Sequence, residues 1–195
     1  MVHKTPLLTV AQFDEWVMRP ENIARDFELI NGEIVEKMVS DPDASMITMF
    51  LGGLLSVYVL QHKLGRVTGP DGGYHVGENR YIPDVGFIRK ARMPKNYEKG
   101  YIPASPDLAI EVMSPTDSLK ALHRKISHYL AAQIVVWAIY PQEYEIEVHN
   151  PGQPVRVLKI NDTLTGGDLL PNFSVAVKTI FDAAHEHTEE DDTNQ

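Results

Sequence analysis

The sequence contains no cysteine, and its first residues lack the order of a secretory signal. Without cysteine there can be no disulfide, no thiolate zinc site and no cysteine nucleophile. A secretory signal would place an apolar segment directly after a positively charged one, which the opening residues do not do. We therefore expect a cytoplasmic protein that folds in a reducing compartment.

Long hydrophobic runs and several familiar motifs are also missing. The longest apolar stretch, Met46–Leu60, would span roughly 22 Å as an α-helix, which is short of the ~30 Å hydrocarbon core of a bilayer. We predict a buried helix there. None of the eight histidines has HExxH spacing, and no GxSxG, Walker A or dinucleotide glycine pattern occurs. The motifs of zinc proteases, serine hydrolases and nucleotide-binding enzymes are thus absent.

The composition is that of a globular protein. Of 195 residues, 43% are hydrophobic and 23% are charged, which argues against disorder and low complexity. A chain of this length fits one domain with a substantial core. We predict one domain over residues 1–182 and an acidic, disordered tail over residues 183–195.

Negative charge is concentrated near the C-terminus. The formal net charge is −9, but residues 183–195 hold five acids and no Lys or Arg, so the rest of the chain carries only −4. Residues 63–132 contain eleven Lys or Arg against seven Asp or Glu. Within them, a predicted loop interleaves basic and aromatic residues: Arg89, Lys90, Arg92, Lys95, Tyr97, Lys99 and Tyr101. This loop suits phosphate contacts and base stacking, although the same composition is common on a solvated surface.

A β-hairpin is predicted near the N-terminus. Two β-forming runs flank Asn31-Gly32, which is the strongest short signal for a two-residue hairpin loop. In that register Ile30 faces Glu33 and Glu28 faces Val35. Because side chains alternate along a strand, Glu28 and Glu33 share one face of the hairpin.

The middle of the chain predicts an α/β fold. We expect a strand over Arg80–Ile88, a near-continuous apolar strand over Asp107–Val112, a helix to about Ala132 and a buried strand over Ile134–Tyr140. The last strand, helix and strand form a βαβ unit, whose two strands are expected to be parallel.

Two acids lie within predicted strands. Glu111 is embedded in an apolar run, where a carboxylate costs several kcal/mol unless it is paired, protonated or metal-bound. A salt bridge to Arg124 or Lys125 on the following helix would be a purely structural solution. Asp84 follows a proline and could be a turn or capping residue. Together the two acids indicate hard oxygen ligands for Mg²⁺ or Mn²⁺.

Two further residues bear on this hypothesis. Asp107 shares a face with Glu111, but four residues along a strand separate them by roughly 13 Å, so both cannot hold one ion. A neighbouring strand is only ~5 Å away, which favours Asp84 as the partner. On the helix, Lys125 borders the core stripe formed by Leu119, Leu122, Ile126, Tyr129 and Leu130, and it could either extend its stem along that stripe or direct its ammonium at a metal-bound phosphate. We expect His123 and His128 to be solvated.

The chain resembles a known nuclease family in five segments. These are Phe27-Glu-Leu-Ile-Asn-Gly-Glu33, Ile82-Pro-Asp-Val-Gly-Phe87, Pro106-Asp-Leu-Ala-Ile-Glu-Val-Met-Ser-Pro-Thr-Asp117, Arg124-Lys-Ile-Ser-His-Tyr-Leu130 and Val136-Trp-Ala-Ile-Tyr-Pro141. In this order, over about residues 9–182, they resemble the Uma restriction-endonuclease family of the PD-(D/E)XK nuclease superfamily.

The resemblance implies a restriction-endonuclease-like fold, a mixed β-sheet between helices, that binds Mg²⁺ and hydrolyses phosphodiester bonds. It maps the motif acids onto Asp84 and Glu111, and the motif lysine, replaced by Met113 at its usual place, onto Lys125. It maps the first acid of the superfamily onto Glu28, with Glu33 as a competitor. This chain has Ala44-Ser45-Met46 where many members carry a histidine.

Our hypothesis is a Mg²⁺- or Mn²⁺-dependent endonuclease acting on DNA. Asp84 and Glu111 would hold the metal, Lys125 would orient water or stabilise phosphate oxygens, and Glu28 would support the metal. A homodimer fits this hypothesis because cleavage of a duplex needs two active sites. The alternative is a catalytically inactive interaction module, in which the same acids and lysine form a structural cluster.

Overall fold

The computed structural model describes residues 7–96 and 100–184, and these fold into a mixed α/β structure. The strands are β1 (Phe27–Ile30), β2 (Glu33–Glu36), β3 (Gly65–Thr68), β4 (Tyr74–Val76), β5 (Asn79–Tyr81), β6 (Val85–Arg89), β7 (Leu108–Val112), β8 (Val135–Tyr140), β9 (Glu145–His149), β10 (Arg156–Leu158), β11 (Thr163–Thr165) and β12 (Ser174–Ala176). The α-helices are α1 (Val10–Val17), α2 (Pro42–Gln61), α3 (Leu119–Ala131) and α4 (Val177–Asp182).

A six-stranded sheet forms the centre of the fold. Its strand order is β10-β9-β8-β7-β6-β3. The pair β7 and β8 is parallel and is connected by α3, while the neighbouring pairs are antiparallel. The predicted α/β class and the parallel βαβ unit are therefore confirmed.

The two faces of this sheet are covered differently. On one face, α2 and α4 pack against Phe87, Ile110 and Trp137. On the other, α3 packs against Ala109 and Val136, next to a second sheet with the order β2-β1-β5-β4. Successive residues of a strand point to opposite faces, so Glu111 lies on the α3 side together with Ala109.

The N-terminal hairpin forms as predicted. Asn31 and Gly32 both adopt positive φ angles, 52° and 83°, as a type I′ turn requires. The register pairs Glu28 with Val35 and Ile30 with Glu33. The hairpin joins β5, so it belongs to the second sheet rather than to the central one.

The single strand predicted over Arg80–Ile88 is wrong. β5 pairs within the second sheet, whereas β6 pairs with β3 and β7 in the central sheet. Pro83 and Asp84 form the crossing between the two sheets. Proline has no N–H to donate to a strand partner, which explains why the ladder is interrupted there.

The expectation for Met46–Leu60 also needs correction. Within α2, which is long and apolar enough to cross a membrane by length and composition alone, only 33% of the apolar stretch is buried. The core helix of a soluble protein passes the same test, so this is weak evidence for a span. The helix buries one face, including Leu51 and Leu55, and leaves Met49 and Leu60 exposed.

Residues 183 and 184 form a turn directly after α4, where Ala184 packs against the core. Residues 185–195 of the predicted tail lie outside the described residues. The division into a domain over residues 1–182 and a tail over residues 183–195 stays a prediction.

Candidate active site

A cleft of about 250 Å³ lies where the hairpin, the Pro83-Asp84 crossing, the end of β7 and the start of α3 meet. Its walls include the four residues predicted from the sequence: Glu28, Asp84, Glu111 and Lys125. The fold therefore brings together side chains that are up to 97 residues apart in the chain.

Asp84 and Glu111 are neighbours across the pair β6 and β7. Val85 pairs with Ile110 in the antiparallel register, so Asp84 lies next to Glu111 on the same face of the sheet. One oxygen of Asp84, Oδ2, accepts a hydrogen bond of 2.8 Å from the backbone N–H of Val112. This bond ties the aspartate to the strand that carries the glutamate.

Lys125 extends from α3 towards the carboxylates of Glu28 and Glu111. Its Nζ lies 2.9 Å from Glu111 Oε2 and 3.0 Å from Glu28 Oε1. The other oxygen of Glu111, Oε1, accepts a hydrogen bond of 2.7 Å from the hydroxyl of Tyr129. Lys125 and Tyr129 are four residues apart on α3 and therefore share a helix face. Both oxygens of Glu111 are thus held by one helix.

Glu28, rather than Glu33, faces this cleft. Glu28 is buried on β1, and its Oε1 accepts a hydrogen bond of 2.9 Å from the backbone N–H of Ile82. Glu33 is exposed next to the hairpin turn and lines no part of the cleft. The two acids share a face, but only Glu28 is far enough from the turn to lie over the central sheet.

A second lysine, Lys37, was not singled out from the sequence. Its Nζ donates to Asp84 Oδ1 at 2.8 Å, to the carbonyl of Ile82 at 2.9 Å and to that of Pro70 at 3.3 Å. Alternation along β2 places residues 33, 35 and 37 on the same face as Glu28. That alternation was the available signal for Lys37.

The charges of the cluster formed by these three acids and two lysines do not cancel. The carboxylates of Glu28, Asp84 and Glu111 face the ammonium groups of Lys37 and Lys125, which leaves a formal charge of −1. Burial raises the pKa of Glu111 to about 7, an effect that Lys125 opposes and that Asp84 and Glu28 reinforce. For Lys125, burial acts to lower the pKa, but the three carboxylates outweigh it and raise the pKa above its usual value. Lys125 is therefore charged at neutral pH.

Aromatic groups extend the site behind Lys125. The ammonium lies 5.6 Å from the centre of the Tyr81 ring, within the range of a cation–π contact. The hydroxyl of Tyr81 is 2.6 Å from Nδ1 of His128. The expectation that His128 is solvated is therefore wrong, because α3 turns this residue towards Tyr81. His123 is exposed, as predicted, whereas Leu119, predicted to lie in the core, is also exposed.

Asp107 lies at the other end of β7. It precedes the strand and accepts hydrogen bonds from the backbone N–H of Arg89 at 2.8 Å, from Arg89 Nε at 2.7 Å and from Arg92 at 2.9 Å. The proposed exclusion of Asp107 from the cluster agrees with this position.

The described residues of the basic loop, Arg89 to Lys95 and Tyr101, line no part of the cleft. Arg89 and Arg92 are engaged by Asp107, and Tyr101 donates its hydroxyl hydrogen to the carbonyl of Phe27 and packs on Phe13. Tyr101 is therefore not available for the base stacking that the composition of the loop would suit, because its ring is part of the N-terminal core. Tyr97 and Lys99 lie outside the described residues.

The carboxylate donors fit a hard divalent cation with few protein ligands. Within residues 7–96 and 100–184, no three His, Asp or Glu side chains form a group that could hold a metal ion by themselves. Mg²⁺ is commonly bound through one or two carboxylates and keeps several waters. Asp84 and Glu111, side by side at an open cleft with unbalanced negative charge, match that requirement.

Comparisons with known proteins agree with this fold. The model of a family named Uma2 and described as "Putative restriction endonuclease" matches residues 10–178. A solved structure from Anabaena variabilis, described as a putative nuclease, is 22% identical and superposes with a TM-score of 0.78, covering 91% of this chain and 99% of the other. No curated protein matches the sequence significantly. The structural likeness shows a shared fold, and the family description supports a nuclease.

Proposed function

The chain belongs to the Uma2 family, and from this premise we propose that it is a metal-dependent endonuclease that hydrolyses phosphodiester bonds of DNA. The observation that carries the proposal is the meeting of Asp84, Glu111, Glu28 and Lys125 in one cleft. A buried acid pair with unbalanced charge beside a lysine is the arrangement that phosphate chemistry needs, since such chemistry depends mainly on positioning and electrostatics.

Asp84 and Glu111 would hold Mg²⁺ or Mn²⁺. When bound, the cation lowers the pKa of a water molecule and stabilises negative charge on the phosphate. The protein's part is to keep both carboxylates in place. The N–H of Val112 and the ammonium of Lys37 fix Asp84, and the hydroxyl of Tyr129 fixes Glu111.

Lys125 would act on the phosphate or the attacking water. An ammonium group has three N–H donors; Lys125 donates one of them to Glu111 and forms an ion pair with Glu28 at 3.0 Å. A remaining N–H can donate to a phosphate oxygen or to water at the cleft. Glu28 holds the ammonium from the side of the hairpin, and through it supports the metal-binding acids.

Metal binding is the first test. We expect isothermal titration with Mn²⁺ to show binding to the wild type and none to Glu111→Ala, because the variant lacks one of two protein ligands. Glu33→Gln is the matched control, since Glu33 lies on the same hairpin face outside the cleft. Binding that is equal in the wild type and in Glu111→Ala would refute this metal site.

Cleavage is the second test. In assays with Mg²⁺ on plasmid, single-stranded and structured DNA, we expect Lys125→Met to lose activity by about 10²–10³-fold, the typical cost of removing a charge-stabilising donor. Lys120→Met, at an exposed position of the same helix, should cleave normally. A wild type that binds Mn²⁺ but cleaves no nucleic acid would contradict the endonuclease.

The DNA contact can be tested at the rim of the cleft, where Arg124 is exposed. A phosphate contact by Arg124 would make a salt-dependent contribution to affinity. For Arg124→Ala we expect weaker DNA binding and a reduction of about 0.9 in the slope of log affinity against log salt. Arg156→Ala, at an exposed arginine on β10, is the control.

One observation favours a second candidate, an inactive interaction module. Lys37 and Lys125 already pair with all three carboxylates, and in the described part of the chain every buried side-chain polar atom has a hydrogen-bond partner. A closed cluster of this kind can be purely structural. The module would be supported if neither the wild type nor Glu111→Ala binds Mn²⁺ and if Glu111→Ala is less stable than the wild type.

A further inference from the structure

The outward face of α2 is apolar and uncharged. Met46, Met49, Val57 and Leu60 have exposed fractions of 42%, 74%, 56% and 71%. From Ala44 to Gln61 the sequence contains no Asp, Glu, Lys or Arg. Contiguous apolar surface of this kind is uncommon on a monomeric protein and is typical of an interaction site.

Most of the exposed apolar residues of α2 follow a single seam. Met46, Met49, Val57 and Leu60 are spaced as heptad positions a, d, e and a. The half-buried Phe50, which also packs against the core, and the half-buried Gly53 occupy positions e and a on the same side of the helix. Gly53 is at the middle of this seam. The helix is 20 residues long, or about 30 Å, so the seam is long enough to pack against another helix.

Gly53 is not required by the chain's own packing. A Cβ atom added at Gly53 would meet nothing within 4 Å, whereas one added at the adjacent Gly52 would contact Val85 at 3.5 Å. Glycine inside a helix is unfavourable compared with alanine. Its presence at the centre of an exposed seam is explained if another backbone approaches closely at this point.

The rest of this sequence offers no apolar cover for the seam. Residues 185–195 contain no hydrophobic residue and five acids, and residues 1–6 and 97–99 are short. An anionic membrane surface is also a poor match. Interfacial helices carry a basic polar face, whereas the second face of α2 is buried in the core and the chain has a net charge of −9.

We propose that this seam is a homodimer interface, in which α2 of one copy packs against α2 of a second copy about a two-fold axis. An uncharged apolar seam is complementary to itself, as a two-fold interface requires. Two helices can cross closely at Gly53, where neither has a side chain. The seam has no residue in the cleft, so the inference is independent of the proposed function.

Sedimentation equilibrium over a wide range of protein concentration tests the dimer. We expect the wild type to approach twice its monomer mass of 21.9 kDa, and Val57→Lys to remain a monomer. Val155→Lys is the matched control, since Val155 is exposed to 47% on another surface. A wild type that stays monomeric throughout, or a folded Val57→Lys that dimerises like the wild type, would overturn the proposal.

A single-cysteine experiment tests the geometry without disturbing a charge. Because the chain has no cysteine, a bis-maleimide can link only two copies that each carry an introduced thiol. Met49→Cys, on the seam but away from the Gly53 crossing, should cross-link efficiently in dilute solution, and Ser127→Cys, exposed on α3, should not. Equal cross-linking of the two variants would contradict the seam. Flotation of monomeric protein with phosphatidylglycerol vesicles would instead assign the seam to a lipid surface and overturn the dimer.

Discussion

The two ends of β7 hold two buried acids in different surroundings. At its start, Asp107 is paired with two arginines whose side chains are 56% and 39% exposed. Near its other end, Glu111 is paired with Lys125, whose side chain is 14% exposed, and faces two further carboxylates. Both acids belong to the same segment of chain, and they differ in the charged groups that surround them.

The difference separates a structural acid from one suited to chemistry. Around Asp107 the positive groups outnumber the acid, and they remain in contact with water. Around Glu111 the acids outnumber the ammonium groups, and burial makes the imbalance costly. Perturbed carboxylates in a cleft are typical of functional sites. The environment, rather than the presence of an acid on a strand, therefore indicates the function.

The largest expected effect is on metal affinity. Glu111→Gln should bind Mn²⁺ at least about 100-fold more weakly, since it would lose one of the two proposed metal ligands, and loss of an outer partner alone costs about 10–100-fold. Asp107→Asn should bind Mn²⁺ as the wild type does. Titration calorimetry on both variants makes the comparison. A similar loss of Mn²⁺ affinity in both would show that the two ends of β7 do not differ in metal binding.

The pH dependence of metal affinity and of folding stability should follow the titration of Glu111. Its usual pKa of 4.5 is raised to about 7 by burial, reinforced by Asp84 and Glu28 and opposed by Lys125. Protons therefore compete with the metal, and Mn²⁺ affinity should rise by up to about tenfold per pH unit between these values and then level off. Without metal, the folded state retains the proton that the unfolded state releases, so stability should fall as the pH rises through the same window.

Denaturation at several pH values between 4.5 and 7 checks the second part of this prediction. Glu111→Gln should lack this decline in unfolding free energy, and Asp107→Asn should retain it. A decline of equal size in Glu111→Gln would assign the effect to another group.

A change at the other end should mainly affect stability. Asp107→Asn removes a charge that accepts three hydrogen bonds from Arg89 and Arg92. Because the arginines can be hydrated again, we expect a loss of about 1–3 kcal/mol. The midpoint of urea unfolding measures it, with Asp182→Asn on the exposed end of α4 as the control. A stability equal to that of the wild type would show that these bonds contribute little.

The smallest effect should come from the hydroxyl that positions Glu111. Tyr129→Phe removes the hydrogen bond to Glu111 Oε1, and we expect Mn²⁺ affinity to fall about tenfold, the lower range for an outer partner. Tyr81→Phe is the matched control, because the hydroxyl of Tyr81 contacts His128 instead. Calorimetry that ranks the two variants the other way would contradict this role of Tyr129.

Much of the site follows from local patterns. Asn31-Gly32 determines the hairpin register and hence the shared face of Glu28 and Glu33, since both central residues of the turn need positive φ. The apolar strands around α3 predict the parallel pair that carries Glu111. The spacing of strands was sufficient to favour Asp84 over Asp107 as its neighbour. Local patterns missed Lys37, whose partners are Asp84, Ile82 and Pro70, because those contacts join segments distant in the chain.

By itself the sequence determined the hairpin, the βαβ unit and the presence of strand carboxylates that need a compensating partner. Turn geometry, side-chain alternation and the cost of burying charge all act over a few residues. Only the tertiary structure decided that Glu28 faces the cleft and Glu33 does not, that Pro83-Asp84 crosses between two sheets, and that α2 leaves one apolar face uncovered. Those outcomes depend on how separate elements pack, and a helix that is apolar on every side carries no local signal of which side will be buried.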